Sequence, residues 1–401
     1  MRVMLFTGKG GVGKTTLAAG TAALAARDGN RTLVLSTDPA HSLADALGLA
    51  EPELGQGPIE VAENLWSLHV DVRDRFARAW GEIQQYLLDV LDSAGVDPME
   101  AEELTVLPGA EEVLALLEVR DRVRSGEWDV VVVDCAPTAE TLRLLALPDA
   151  LRWYMDRIWP TERRVLGVLR PILRRASGVP MPRDQVLDAI ESLHADLADV
   201  RAILTEPTSS VRLVTTPEAV VFAEARRTLT SLSLYGYRVD GVLVNRIFPV
   251  TGADDWRAKW IASQAVQLAR IESDCDPLRV WRAGYQAAEP VGPEALAQLA
   301  ADVYGQDDPI AVVETPEPLT VRRVGEDFEL SIALPLVAKG DVDLGRRLDE
   351  LVVTVGPHRR GLSLPSALRR CTVIGAHFEP GRLLVMFTPD PAQWRREDKS
   401  S

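Results

Sequence analysis

The sequence predicts an α/β fold, a P-loop type of mostly parallel sheet with helical insertions, followed by a small all-β sandwich. Three observations carry this. Continuous apolar, largely β-branched runs alternate with helical patterns through residues 1–304. A glycine-rich loop lies between the first such run and the first helix. Beyond a proline- and acid-bearing stretch, the pattern changes to short runs separated by turn residues. Unbroken apolar runs are what strands buried on both faces require, whereas alternating runs suit strands with one wet face.

In chain order, Arg2–Phe6 is the first apolar run and Lys14–Arg27 an alanine-rich helical stretch. Thr32–Ser36, Val130–Val133, Val211–Val214 and Val239–Val244 are further strand candidates. Two long helical insertions separate them, at about 72–125 and 140–205. Gly305–Leu319 reads as a linker, and a boundary of that composition is expected to carry few contacts. The β module at 320–388 is built from Phe328–Leu334, Leu351–Val355, Cys371–His377 and Arg382–Phe387. The polar tail at 389–401 is expected to be disordered.

A 46% hydrophobic composition over 401 residues is enough for a large core and a second small one. The net charge of −15 opposes a broad nucleic-acid-binding face, so no nucleic-acid partner is expected. Cys135, Cys275 and Cys371 form no C-x-x-C pair, so no zinc is expected and a reducing, cytoplasmic setting is. No leader and no apolar run of about 20 residues is visible, leaving at most transient membrane contact. One stretch runs against the acidic total. Leu151–Arg183 is arginine-rich, with Val165, Leu169, Ile172, Leu173 and Ala176 at helical spacing. It is either a core helix with a solvated basic face or a partner, client or membrane-surface helix.

Gly8-Lys9-Gly10-Gly11-Val12-Gly13-Lys14-Thr15 fits G-x-x-x-x-G-K-[ST] with a strand before it and a helix after it. Glycines let successive backbone N–H groups turn inward onto phosphate oxygens, and the helix brings its positive end to the anion. Lys14 is placed to reach the β- and γ-phosphates of ATP, Thr15 to ligate Mg²⁺, and Thr16 to support the α-phosphate side. Only five lysines occur in the chain, and two of them, Lys9 and Lys14, lie in this loop. A compact ammonium is therefore needed there rather than the arginine used elsewhere. Asp134 closes the Val130–Val133 run, where a second Mg²⁺-binding group acting through water belongs; strand-end capping is its alternative. Asp38, after Thr32–Thr37, can hold the attacking water, and His41 is either structural or catalytic. Asn245 is placed to read an adenine edge or to close a turn.

Six stretches resemble the anion-transporting ATPase family, which includes arsenical-pump-driving ATPases and ATPases that target tail-anchored membrane proteins. They are FTGKGGVGKTT (6–16), STDPAHSLAD (36–45), LPGAEE (107–112), DCAPTAETLRLLALP (134–148), TTPEAVVFAEARRTL (215–229) and VLVNRIFP (242–249). The resemblance implies that Asp38–Ser42 is switch I, that Asp134–Thr141 is switch II, and that Asp38 positions the hydrolytic water. It also implies that Lys9 reaches a phosphate of the partner's nucleotide across a homodimer. The β module is similar to the α-crystallin-like domain of some members. Departures are plain. There is one phosphate loop rather than a tandem pair, so the chain must dimerise. No cysteine cluster is present for a metalloid, and Asp254–Arg270 lacks the zinc-binding C-x-x-C of the targeting factors.

The expected activity is Mg²⁺-dependent ATP hydrolysis driving a homodimeric open/closed switch for a hydrophobic protein client. Driving an arsenite or anion pump, or partitioning on DNA or membrane, are the alternatives.

Overall fold

The computed structural model describes residues 1–37, 42–49, 57–69, 88, 110–136, 184–313, 317–337, 339–347, 349–356, 358–379 and 381–391. Asp38, His41, the switch II residues beyond Ala136, the 151–183 helix and the tail beyond residue 391 lie outside them. The chain divides into two compact units, 1–209 with 286–311, and 210–285 with 312–401.

The first unit holds strands β1 (Arg2–Thr7), β2 (Thr32–Ser36), β3 (Ile59–Ala62), β4 (Leu65–His69) and β5 (Val130–Asp134) in the order β3-β4-β2-β5-β1. All neighbours are parallel except β3 and β4. Every residue of β1, β2 and β5 is buried, as their unbroken apolar runs require. The register aligns Phe6, Asp134 and Ser36, so the carboxyl ends of the three strands finish level. Open parallel sheets bind ligands at that end.

Helix α1 (Lys14–Arg27) follows β1, and α2 (Ser42–Leu47) follows β2. Helix α3 (Ala110–Ser125) leads into β5, and α4 (Asp184–Thr205) lies beside it, with Arg120 pairing to Asp196 and Arg124 to Asp199. Residues 17–26 of α1 are all buried, so its alanines and single glycine serve close packing on every side. The closest neighbour is α5 (Pro293–Tyr304). A Cβ at Gly20 would sit 2.8 Å from the Leu296 carbonyl oxygen, and Thr21 Oγ1 lies 2.8 Å from the Tyr304 hydroxyl.

The second unit holds parallel strands β6 (Ser209–Thr215), β7 (Val239–Ile247) and β8 (Arg279–Gly284), with helices α6 (Ala219–Tyr235) and α7 (Asp255–Cys275). A buried ion pair lies inside this sheet. Arg212, 1% exposed, bonds Asp240, 2% exposed, and its guanidinium stacks over Trp281 at 4.8 Å. Gly241 makes room for that ring, since a Cβ there would meet it at 2.2 Å.

The rest of the unit is the β module. Strands β9 (Leu319–Val324), β10 (Asp327–Ala333), β11 (Val342–Arg347), β12 (Glu350–Val355), β13 (His358–Ser363), β14 (Cys371–Glu379) and β15 (Arg382–Pro389) form two antiparallel sheets, β14-β15-β10-β9 and β11-β12-β13. Leu330, Ile332, Val353, Leu362, Val385 and Phe387 share one core drawn from both sheets, and Leu234 of α6 belongs to it. Thr230 donates to the Pro335 carbonyl at 2.9 Å, and Arg360 donates to the Leu234 carbonyl. A cavity of about 530 Å³ opens between α6, the α7–β8 turn and the module. A boundary with few contacts does not describe this region. The composition of 305–319 marks where the chain leaves α5, while the module's apolar face is closed by a helix some 100 residues earlier in sequence.

Strands without an apolar run in the sequence are mostly last in their row. β3, β8, β9, β11 and β13 each end a sheet, and most of their charged residues face solvent, the buried Arg360 of β13 being an exception. Among the described residues, no helix is long and apolar enough to cross a membrane.

Candidate nucleotide site

The glycine loop joins the buried end of β1 to α1. Gly11 has φ 79° and Gly13 φ 90°, the left-handed region where a Cβ is strained, so glycine is needed at both. Gly13 is also the N-cap of α1 and offers no side-chain cap. The first helical bond runs from Leu17 N–H to the Gly13 carbonyl at 3.1 Å. The preceding N–H groups of Lys14, Thr15 and Thr16 therefore have no acceptor within the helix, and they form the positive end that an anion fits. Gly10 and Gly11 are exposed, Lys9 is half-buried, and Val12 is packed into the interior. The Lys14 side chain is buried at 6% exposure, which sets a cation inside the loop rather than in solvent.

Asp134 stands at the tip of β5 with no exposure. Its Oδ2 accepts from Thr15 Oγ1 at 2.8 Å and from Ser36 Oγ at 3.3 Å. The structure thus brings together the sequence-predicted pair Thr15 and Asp134. It adds Ser36, which the motif reading passed over although a serine ending a strand beside an acid was visible. Thr37 is a second addition. Its N–H continues the ladder to the Asp134 carbonyl at 2.9 Å, and its Oγ1 accepts from Ala136 N–H at 3.2 Å.

The donor set is a hydroxyl and a carboxylate. Such oxygen ligands suit a hard cation that keeps much of its water and completes its shell from phosphates, as Mg²⁺ does. Among the described residues, no cluster of three or more His, Cys, Asp or Glu could hold a metal alone. Cys135 follows Asp134 directly. Burial, with the Asp134 charge, raises its pKa far above the usual thiol value, against the opposing pull of Lys14, so it stays a thiol.

Asn245 belongs to the second unit. Its Oδ1 accepts from Arg246 N–H at 2.8 Å, and Arg246 has φ 59°, so the side chain supports the irregularity near the end of β7, where the register with β8 shifts between Val244 and Ile247. Gln264 of α7 pins the same end of β7 through the Arg246 carbonyl and Phe248 N–H, at 3.0 and 2.9 Å. Nothing in the sequence pattern singled out that glutamine.

Comparison with known proteins agrees with the motif reading. Residues 1–305 match the model of an anion-transporting ATPase family, and residues 325–387 match that of an HSP20-like domain found in the same family. A protein of Aquifex aeolicus named "Putative arsenical pump-driving ATPase 1" is 34% identical over 97% of this chain and 100% of its own length. One of Chlorobaculum tepidum, named "Putative arsenical pump-driving ATPase", is 36% identical over 92% of this chain and 91% of its own. A second Aquifex aeolicus protein, "Putative arsenical pump-driving ATPase 2", is 30% identical, with 98% of its length covered by 75% of this chain. These three relatives are named as ATPases.

Proposed function

Because the chain belongs to the anion-transporting ATPase family, we propose that it is a Mg²⁺-dependent ATPase whose hydrolysis cycle drives an open/closed switch in a homodimer that holds a hydrophobic protein client. The observation that carries the enzymatic part is the convergence of Thr15 Oγ1 on Asp134 Oδ2 at 2.8 Å beneath an uncapped helix start. The loop N–H groups and Lys14 bind the phosphates. Thr15 would hold the metal directly and Asp134 through water. When bound, Mg²⁺ would neutralise charge on the β- and γ-phosphate oxygens. Asp38 orients the attacking water, and phosphoryl transfer needs mainly this positioning and charge neutralisation. Lys9 reaches the nucleotide of the partner subunit.

The pump-driving reading rests on the names of relatives, and the thiols do not support it. All three cysteines are buried. Burial, with nearby Asp274, pushes the Cys275 thiol up to about 12, and burial raises Cys371 as well. A metalloid held through sulfur needs clustered cysteines, and among the described residues no group of three or more His, Cys, Asp or Glu is placed to hold such a centre.

The test uses the purified full chain and its Asp38→Asn variant. We expect Mg²⁺-dependent turnover and a zinc-free dimer in the wild type. The variant should bind Mg·ATP, turn over orders of magnitude more slowly, and retain a client carrying an exposed apolar segment. Absence of Mg²⁺-dependent turnover in the wild type overturns the enzymatic reading. A particle that stays monomeric in every nucleotide state overturns the switch.

A further inference from the structure

The exit from β5 is held in an unusual way. Once a strand passes the ends of its neighbours, its next N–H groups lose their ladder partners and must find others. Cys135 N–H still reaches β1, bonding the Phe6 carbonyl at 3.0 Å. Ala136 N–H, one residue further and 1% exposed, goes to the Thr37 hydroxyl of the neighbouring chain end at 3.2 Å. The same hydroxyl lies 3.5 Å from the Asp134 carbonyl, which already accepts from Thr37 N–H at 2.9 Å. Ser36, one residue earlier, reaches the Asp134 carboxylate itself. Ser36, the last residue of β2, and Thr37, the next, thus grip both the backbone and the side chain of Asp134 and the residue two beyond it.

The geometry points to Thr37 as a positioning residue that sets where Asp134 presents its carboxylate to Thr15, and that joins this to the chain segment beginning at Asp38. This inference rests on the ATPase reading for its consequence, though not for its geometry. Thr37 precedes Asp38 in sequence, so the aspartate assigned to water and the aspartate assigned to the metal start from one clasp. Its hydroxyl accepts from Ala136 N–H, which a methyl group in the same place cannot do. Thr37 touches neither nucleotide nor metal in this scheme, so its loss should spare binding of ATP and impair turnover. Small misplacements of reacting groups can cost about a hundredfold in rate.

The test compares the full-length wild type with Thr37→Val, which keeps the shape without the hydroxyl, and Thr37→Ser, which keeps the hydroxyl. Two readouts are taken: hydrogen–deuterium exchange of the peptide spanning Asp134–Ala136 in nucleotide-free protein, and kcat and KM for ATP across a Mg²⁺ titration. For Thr37→Val we expect faster exchange in that peptide, kcat lower by about tenfold to a hundredfold, a higher Mg²⁺ requirement, and little change in KM for ATP. Thr37→Ser should track the wild type in both readouts. Exchange and kcat unchanged in Thr37→Val overturn the proposal, and so does a serine variant as impaired as the valine one. Should the valine variant not fold, Thr37→Ala repeats the comparison. If the wild type itself shows no ATP turnover, the ATPase reading falls, and the exchange data alone still decide whether the clasp exists.

Discussion

Two aspartates lie fully inside parallel sheets of this chain, and their surroundings differ in kind. Asp240 on β7 is locked to Arg212 on β6, with Ser210 Oγ at 2.8 Å and the arginine stacked on Trp281. That set is satisfied by permanent partners of opposite charge, and it holds two strands together. Asp134 at the tip of β5 accepts from the hydroxyls of Thr15 and Ser36. Hydroxyls can turn away, or ligate a cation in their own right, so this carboxylate can change partners. Burial alone does not tell a structural acid from a functional one. The mobility of the bonds around it does.

The contrast predicts opposite phenotypes. Lys14→Ala and Asp134→Asn should each lower ATP turnover by about a hundredfold to a thousandfold, the scale of losing one preorganised charge or donor at a reacting phosphate. Their melting temperatures should stay close to the wild type, and calorimetry beside a phosphate-release assay checks both. Wild-type turnover in either variant would break the assignment of the loop.

Asp240→Ala should do the reverse. Removing one member of a buried pair leaves Arg212 uncompensated, at a cost of about 3–5 kcal/mol, while the doubly substituted Arg212→Met/Asp240→Leu chain should recover most of it. Denaturant titration measures the loss, and activity per folded molecule should hold. Turnover lost without stability would place Asp240 in the functional class instead.

A further substitution addresses how far the β module belongs to the body that carries α6. Leu234 is fully buried in the module's core, so Leu234→Ala should cost about 2–5 kcal/mol. Ending the chain at residue 304 would strip that leucine of its cover. The shortened chain should melt at a lower temperature than the full one, even if it keeps the glycine loop intact. Equal melting temperatures would show that α6 stands without the module.

The smallest effect concerns pH. Burial, then the charge of Arg227, holds the pKa of His358 on β13 below its ordinary value, so the folded protein favours the neutral ring. The unfolded chain binds that proton first as pH drops. The stabilisation is therefore complete above about 6.5, the unfolded value, and is lost as pH falls from there through the folded pKa. Stability should fall modestly on acidification in the wild type, and His358→Gln should flatten that slope.

Much of the site was legible before any coordinate. The loop from Gly8 to Thr16 and the acid after Val130–Val133 carry their chemistry in contiguous residues, and apolar runs mark every strand buried on both faces. The edge strands β8, β9, β11 and β13 were not legible, because a strand with one wet side and mixed charges has no run to read. Nor was Asn245 decided: the same residue type serves an adenine edge or a local backbone bond, and its Oδ1 accepts from Arg246 N–H within β7.

What the sequence determined by itself is therefore local: a glycine-rich loop with two lysines, its strand and helix, a strand-tip aspartate, and a change of architecture near residue 305. Tertiary structure decided the rest. Thr37 meets Ala136 across 99 residues, Arg212 meets Asp240 across 28, and Gly20 admits Leu296. The reason is physical. A loop or a strand is specified by the dihedral preferences and burial of neighbouring residues, whereas a hydrogen bond between strand tips depends on register. Register is fixed only once the whole sheet has closed around its core.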